Sequence, residues 1–320
     1  MATGEKRAIV GRALSEGPLL WLGLLLVGGA APFFVYPVLM MQLWCFALFA
    51  CAFNLLLGYT GILSFGHAAY FGGAAYITGH SIVAWEFSPL AGIALGTLFS
   101  AAIGLAFGAL AIRRQGIYLA MITLALAQIL YFLALKLPFT GGEDGLQGIP
   151  RGTALGVLDL SESLVIYYVV FALFLFGFFV IHRTIHSPFG QVLTAIRENE
   201  PRALSLGYDV ERFKLIAFVL SATLAGLAGA TKALVFQFAS LTDVHWSMSG
   251  EVVLMTLIGG VGTVLGPVFG AFTVILLQNK LSGIGSWVTV VLGAIFILCV
   301  LAFRRGVVGE IAHALRRRAP

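Results

Sequence analysis

Apolar stretches of about 20 residues recur along almost the whole of this 320-residue chain, and this repetition constrains its fold more than any other feature. A helix needs about 20 apolar residues to cross a bilayer, whereas a strand of a membrane barrel alternates over about ten. The stretches do not alternate, so they predict helices. They lie at about 18–36, 37–57, 61–84, 89–112, 116–137, 163–181, 214–236, 251–279 and 284–303.

The composition indicates that these stretches face lipid. Hydrophobic residues make up 60% of the chain and charged residues only 10%, against about 25% in soluble domains. The first stretch follows Lys6, Arg7 and Arg12 but is too long for the apolar region of a signal peptide, and a second stretch follows at once. We therefore interpret it as an uncleaved first span.

The basic residues predict the orientation of the chain. Most of its 19 Lys and Arg residues lie in four places: the N-terminus, Arg113–Arg114, the segment 182–214 and the tail from Arg304. The positive-inside rule predicts that all four are cytoplasmic, in a multi-pass protein of a bacterial inner (plasma) membrane. Because these charges flank apolar runs, the net charge of +5 does not indicate binding to nucleic acid.

Cytoplasmic termini require an even number of crossings, and the stretch 251–279 is the one that must divide. As a single helix it would be about 43 Å long, beyond a hydrocarbon core of about 30 Å. It is interrupted by Gly259, Gly260, Gly262, Gly266 and Pro267. We predict two passes or a re-entrant pair here, and about ten transmembrane or re-entrant helices in all. Broken helices at membrane depth are tolerated where they are buried in protein or line a cavity.

A second glycine-rich segment, residues 58–76, resembles the broken stretch. Many transport folds contain internal repeats, but glycine-rich helices also resemble one another by chance. The correspondence pairs Gly61, Gly66 and Gly73–Ala74 with Gly262, Gly266 and Gly270–Ala271.

The segment 182–213 is the longest polar stretch. Ser187–Pro188 predicts the start of a short helix that Asn199 ends, and Pro201 and Gly207 delimit a second one. We predict two amphipathic helices in a cytoplasmic loop. A solvated connector is the alternative, but a loop of this length with its own structure is usually functional. If the first helix continued past Asn199, Glu198 and Arg202 would pair.

Four motifs carry a family resemblance. They are the 58–76 segment, TGGEDGLQGIP at 140–150, the run from SPFG through AIRENE to ALSLGYDVERFKLIAFVLSATLAGLAGA, and WSMSGEVVLMTLIGGVGTVLGPVFGA at 246–271. In this order they resemble the branched-chain amino-acid ABC permease family, LivM-like subunits, over about residues 54–275. The resemblance implies an all-α type II ABC importer-like permease.

The resemblance also implies partners and cargo. The partners are a second permease subunit, two ATP-binding cassette subunits and a periplasmic substrate-binding protein, within membrane lipid. The cargo would be branched-chain amino acids or related small polar solutes; similar permeases import other amino acids, amides, urea or aromatic acids. The segment that couples to the ATPase would contain Gly190, Arg197, Glu198, Asn199, Glu200 and Gly207.

Candidates for the translocation path come from the two glycine-rich segments. Their glycines commonly serve close helix packing instead. His67 either has a gating or proton-linked role or, as is more usual, is bonded to a neighbouring backbone carbonyl. Glu251 either caps a helix start or lines the path. The candidates are Gly61, Ser64, Gly66, His67, Glu251, Gly259, Gly260 and Gly262.

Four further charged or titratable residues are predicted to lie near the outer surface. Lys232 and Lys280 would extend their ammonium groups towards water. Asp243 and His245 fall in a predicted outer loop, where they either meet the binding protein or are solvated.

Other functional classes lack their motifs. The absence of G-x-x-x-x-G-K-[ST] predicts that ATP is hydrolysed by partners, so this chain is a non-catalytic subunit without a cofactor. Cys45, Cys51 and Cys299 do not have metal-ligand spacing. The alternative, an ion-coupled secondary transporter or channel, normally needs membrane-buried carboxylates, which are scarce here. We expect a cytoplasmic segment at 1–17, a permease domain at 18–303 and a basic cytoplasmic tail at 304–320.

Overall fold

The computed structural model describes residues 21–154 and 158–281, with the isolated positions 283, 285, 290, 291, 293–295, 297, 306 and 310. The predicted segment 1–17, Cys299, most of the stretch 284–303 and most of the tail 304–320 lie outside the described residues. The helices are α1 (Trp21–Phe33), α2 (Pro37–Thr60), α3 (His67–Ala84), α4 (Pro89–Ala111), α5 (Ile117–Lys136), α6 (Ser163–Ile185), α7 (Pro188–Glu198), α8 (Glu200–Ser205), α9 (Val210–Phe236), α10 (Leu241–Val244), α11 (Trp246–Gly259) and α12 (Gly266–Leu281).

Five of these helices are long and apolar enough to cross a membrane: α2, α4, α5, α6 and α9. The predicted helical, polytopic character is therefore confirmed, whereas the number of about ten membrane helices stays a prediction. Cys45 and Cys51 are free thiols buried in α2.

Helices α2, α3 and α9 form the centre of the bundle. Small residues let their backbones approach closely, as is usual between membrane helices. A Cβ atom on Gly229 of α9 would overlap the Phe71 carbonyl of α3, and one on Gly226 would overlap the Ser100 side chain of α4. Helix α2 is almost entirely covered by its neighbours. The close packing of these helices thus depends on the missing side chains of Gly226 and Gly229.

The segment between α2 and α3 departs from the sequence prediction. A helix was expected from residue 61, but Gly61 adopts a left-handed conformation (φ +73°) that ends α2, and α3 begins only at His67. The freed backbone groups bind side chains: Phe65 N–H donates to Thr123 Oγ1 (3.1 Å) and Gly66 N–H to Ser64 Oγ (3.2 Å). Residues 61–66 are therefore a non-helical run within the bundle.

The predicted break in 251–279 is confirmed. Helix α11 ends at Gly259 and α12 starts at Gly266. At 1.5 Å per residue the two helices are roughly 21 and 24 Å long, shorter than a hydrocarbon core of about 30 Å. They cross where Gly259 meets the Gly266 carbonyl and Gly270 meets the Met255 carbonyl. The two form a tightly packed hairpin.

Short strands lie at the end of the bundle opposite α7 and α8. Strand β1 (Leu146–Gln147) pairs antiparallel with β4 (Phe238–Ala239), and β2 (Thr153–Ala154) with β3 (Leu158–Asp159). Arg151 Nη2 donates to the Val235 carbonyl (2.7 Å) near the last turn of α9. These contacts fasten the long α5–α6 connection to the end of α9.

We predict that Gly270→Ala destabilises the hairpin, because its Cβ would overlap the Met255 carbonyl oxygen, and backbone cannot move aside cheaply. Overpacking of this kind costs about 1–3 kcal/mol. Gly250→Ala in α11 is the matched control, since nothing lies within 4 Å of its Cβ position. Thermal unfolding of the purified protein in detergent should show a lower midpoint for Gly270→Ala alone. Equal midpoints would contradict this packing.

Candidate functional site

The polar segment folds into the two predicted short helices. Ser187 caps α7, with its Oγ accepting from Gly190 N–H (3.3 Å), and Asn199 ends α7 and caps α8 by accepting from Arg202 N–H (3.0 Å). Gly207, at φ +87°, follows the end of α8. The break at Asn199 separates Glu198 from Arg202, and no ion pair joins these two described residues. Each predicted boundary of the helix pair is confirmed.

The two faces of α7 differ. Gly190, Leu193 and Ile196 are buried against the bundle, and a Cβ atom on Gly190 would overlap the Ile185 carbonyl. Thr194, Ala195 and Glu198 face outwards. Helix α7 thus lies flat against the end of the bundle, held by an apolar face and a close turn from α6.

Arg197 reaches from α7 into a slot with glycine walls. Its Nη1 donates to the carbonyl of Gly58, one of the last residues of α2. A Cβ atom on Gly61 would lie 3.1 Å from Arg197 Cγ, and one on Gly262 would lie 3.3 Å from Nη1. Because Gly61 and Gly262 have positive φ angles, side chains there would also strain the backbone. We call these residues, Gly58, Gly61, Arg197 and Gly262, the arginine slot.

Asn54 joins the α11–α12 turn to α2 beside the arginine slot. Its Nδ2 donates to the Thr263 carbonyl (2.9 Å), and its Oδ1 accepts from Gly262 N–H (2.9 Å). The residue is 2% exposed, so both polar ends of the amide are satisfied by one turn. Through Asn54 and Arg197, α2, α7 and the α11–α12 turn meet at a single point.

A cavity of about 590 Å³ opens beside the arginine slot. Such a volume lies within the range of small-molecule pockets, about 300–1,000 Å³. One wall is the non-helical run 61–66, a second is the start of α5, and a third is α7 with Ile196 and Arg197. The cavity therefore combines irregular backbone with apolar side chains, and irregular backbone at membrane depth is tolerated where it lines a cavity.

A polar bridge closes one side of the cavity. Glu200 pairs with Lys214 (2.7 Å) and accepts from Gln115 Nε2 (3.0 Å). Gln115 precedes α5, so this bridge connects the α7–α8 pair to the opposite wall of the cavity. The Gln115–Glu200 hydrogen bond is exposed and readily replaced by water, whereas the Lys214 partner of Glu200 is only 7% exposed.

His67 lies deeper than the cavity and is fully buried. Its Nε2 lies 2.9 Å from Ser221 Oγ, and the Ser221 hydroxyl donates to the Ala52 carbonyl (2.6 Å). Since Ser221 has one proton to donate, Nε2 must be the donor to Ser221. The Nε2 partner of His67 is thus a hydroxyl, while the backbone of Ser64, three residues earlier, lies close enough to act on the ring.

The remaining predicted path residues are separated. Ser64 and Gly66 belong to the non-helical run but are buried, and Gly259 and Gly260 lie at the α11–α12 turn. Glu251 lies inside α11, whose cap is His245, so a capping role for Glu251 is wrong. Its carboxylate instead faces the side chain of Gln278 in α12.

Two residues predicted to be near water form a buried ion pair. Lys232 Nζ lies 2.7 and 2.6 Å from the two carboxylate oxygens of Asp243, and the residues are 9% and 2% exposed. The expected extension of Lys232 to water and the solvent-accessible position of Asp243 are therefore wrong. Sequence reasoning also missed Asn54, although a lone amide within an apolar helix was a signal.

Together the five membrane-length helices, the broken hairpin and the adjoining cavity define a polytopic membrane permease. The sequence profile of the family described as "Branched-chain amino acid transport system / permease component" matches residues 38–300. The chain belongs to this family, which confirms the family resemblance of the motifs.

Curated relatives agree with this assignment. LivM, the high-affinity branched-chain amino acid transport system permease protein of Salmonella typhimurium, is 27% identical over 88% of this chain and 73% of its own length. LivM of Escherichia coli is 27% identical over 78% of this chain but only 64% of its own length. The ribose import permease protein RbsC of Bacillus subtilis is 29% identical over 56% of this chain and 58% of its own. No solved structure matches the chain.

We predict that Asn54→Leu destabilises the protein, because Gly262 N–H and the Thr263 carbonyl both lose their side-chain partner. An unsatisfied buried group costs about 1–3 kcal/mol. The matched control is Gln128→Leu, a half-buried amide on α5. Thermal unfolding in detergent should separate the two variants. An unchanged midpoint for Asn54→Leu would show that Asn54 does not hold the turn.

Proposed function

We propose that this chain is the transmembrane subunit of an ATP-driven importer, and that it forms part of the path for branched-chain amino acids or related small polar solutes. The observation that carries the proposal is the arginine slot, which connects a surface helix pair to the wall of a cavity in a permease of this family. The importer would contain a second permease, two ATP-binding cassette subunits and a substrate-binding protein. The relatives named for branched-chain amino acid transport support the cargo.

The proposed orientation places α7 and α8 in the cytoplasm of a cell with an inner membrane. The concentration of Lys and Arg in 182–214 supports this side. Gly306, beside the basic tail, packs against Gly260 at the same end. The division into residues 1–17, 18–303 and 304–320 is part of this proposal.

The outward face of the α7–α8 pair is the proposed docking surface for the ATPase. Leu204 and Leu206 are 56% and 69% exposed in an otherwise polar segment, and Glu198 faces outwards beside them. Large apolar side chains in such a place favour a protein partner over water. Gly190, Asn199 and Gly207 would shape this surface, since they set where its helices begin and end.

Arg197 would transmit movement rather than dock the ATPase. Its Nη1 reaches the Gly58 carbonyl although the residue as a whole is exposed, so a displacement of α7 would pull the end of α2, and Asn54 would carry this movement to the α11–α12 turn. The exposed Glu200–Gln115 bridge would break first, and the cavity wall formed by α7 would move away from α5. The cavity then serves as the cytoplasmic mouth of the path, with Gly61 in its wall.

The docking surface is tested with the double variant Leu204→Ser and Leu206→Ser. Loss of this apolar contact should reduce the amount of ATPase that co-purifies with the permease by about tenfold, as expected for two apolar residues at an interface. Trp85→Ser, an exposed apolar residue in the α3–α4 connection, is the control. Undiminished co-purification would rule out this surface.

The transport role is tested by uptake of labelled leucine into vesicles that contain the complete transporter, with its binding protein outside. We expect uptake to require ATP and all partners. Arg197→Ala should lower uptake about tenfold or more, because a charge-assisted hydrogen bond is lost, while ATPase co-purification persists. Arg212→Ala is the control, as this exposed residue of the same segment pairs only locally with Asp209.

Two outcomes would contradict the proposal in different ways. Uptake by this chain alone, driven by an ion gradient, would favour the secondary transporter or channel. Normal uptake by Arg197→Ala would leave the importer intact but remove the arginine slot from its mechanism.

A further inference from the structure

The buried ion pair Lys232–Asp243 belongs neither to the arginine slot nor to the α7–α8 pair and lies in a different region of the bundle. Lys232 belongs to the last turns of α9, and Asp243 belongs to α10. The ammonium contacts both carboxylate oxygens, and both side chains are almost completely shielded from water. Removing two charges from water costs several kcal/mol per ion, so such pairs are rarely kept for stability alone.

Asp243 is held in place independently of Lys232. Its Oδ2 accepts from the Ser240 N–H (3.2 Å) and from Ser240 Oγ (3.0 Å) in a capping box of α10. Lys232, by contrast, is a flexible chain whose ammonium also lies 5.5 Å from the centre of the Phe236 ring. The carboxylate is therefore preorganised by α10 itself, whereas the ammonium is carried by a flexible chain and is placed by Asp243 together with the Phe236 ring.

A hydroxyl without a partner lies beside this pair. Tyr76 of α3 is 3% exposed, and its hydroxyl has no hydrogen-bond partner among the residues that the structure describes. The phenol is within electrostatic range of the Asp243 carboxylate. A buried hydroxyl left unpaired costs free energy, which a bound ligand would recover.

The backbone geometry brings α10 against α3 at this place. One turn before Tyr76, a Cβ atom on Gly72 would overlap Val244 and crowd the Asp243 backbone. Glu251 of α11 adds a second carboxyl group within electrostatic range of Asp243. Helices α3, α9 and α10 thus meet at the buried ion pair, and the half-buried Glu251 of α11 lies further out.

We propose that Lys232, Asp243 and Tyr76 form a recognition site for the zwitterionic head group of an α-amino acid. The ammonium of the ligand binds Asp243, and its carboxylate binds Lys232 and the Tyr76 hydroxyl. A zwitterion replaces each partner of the ion pair with another of the same sign, so no buried charge is left unpaired. A singly charged or uncharged solute cannot make this exchange. Without ligand, the two side chains close the site on each other.

This inference rests on the proposed function, because the cargo must be an amino acid. It is tested in the complete reconstituted transporter with labelled L-leucine. Tyr76→Phe removes a hydroxyl that bonds nothing in the closed site, so a structural role predicts unchanged or higher stability. Recognition predicts about fivefold slower uptake with an unchanged thermal midpoint and unchanged ATP hydrolysis stimulated by the binding protein. The control is Tyr118→Phe, whose side chain is exposed.

A second variant removes both charges and keeps a hydrogen-bonding pair. Lys232→Gln with Asp243→Asn should fold and hydrolyse ATP yet lose uptake by about tenfold or more. If this double variant fails to fold, leucine uptake by the Tyr76→Phe variant tests the site on its own. Uptake within twofold of wild type for Tyr76→Phe would overturn the site. Absence of leucine uptake by the wild-type complex would instead contradict the proposed cargo, and the site with it.

Discussion

The hydrogen bond from Arg197 to the Gly58 carbonyl joins the surface helix pair to the end of α2 in this permease. The bond is possible because two glycines leave space along the Arg197 side chain, Gly61 beside its Cγ and Gly262 beside its Nη1. Its acceptor lies at the carbonyl end of α2, where helix carbonyls lack intrahelical partners and the dipole favours a cation. One side chain thus satisfies a helix end and links three segments.

The run 61–66 and the α11–α12 turn both interrupt helices inside the bundle. Their unpaired backbone groups need protein partners, because an apolar interior offers them no water. Thr123 and Ser64 accept from the Phe65 and Gly66 N–H groups of the run 61–66, and Asn54 bonds both the Gly262 N–H and the Thr263 carbonyl of the α11–α12 turn. Both interruptions border the arginine slot, and the first also borders the cavity. The non-helical run, the Asn54 amide and the glycines of the arginine slot therefore occur together where the α7–α8 pair meets the cavity.

Local signals predicted much of this arrangement. Ser187–Pro188, Asn199 and Gly207 set the limits of α7 and α8, and the glycines after residue 258 set the break of the hairpin, because caps and breakers act over a few residues. The matching positive φ angles of Gly61 and Gly262 agree with the suggested repeat, which stays a prediction.

Long-range contacts could not be predicted in the same way. Arg197 was grouped with the docking residues, since a sequence does not show which way a side chain points. The non-helical run 61–66 and the Lys232–Asp243 pair also depend on partners from distant helices. The orientation in the membrane and the number of membrane helices remain predictions for a related reason: they depend on lipid and on residues outside those described.

The most direct test of the account is a distance measurement between spin labels in the complete transporter. Labels at Glu198→Cys and Val261→Cys report on α7 and the α11–α12 turn, and Tyr118→Cys with Glu198→Cys reports on the width of the cavity. The account predicts that ATP binding changes the 198–118 distance while the 198–261 distance stays constant. A change in the 198–261 distance would show that α7 moves independently of the turn, and would contradict the role given to Arg197.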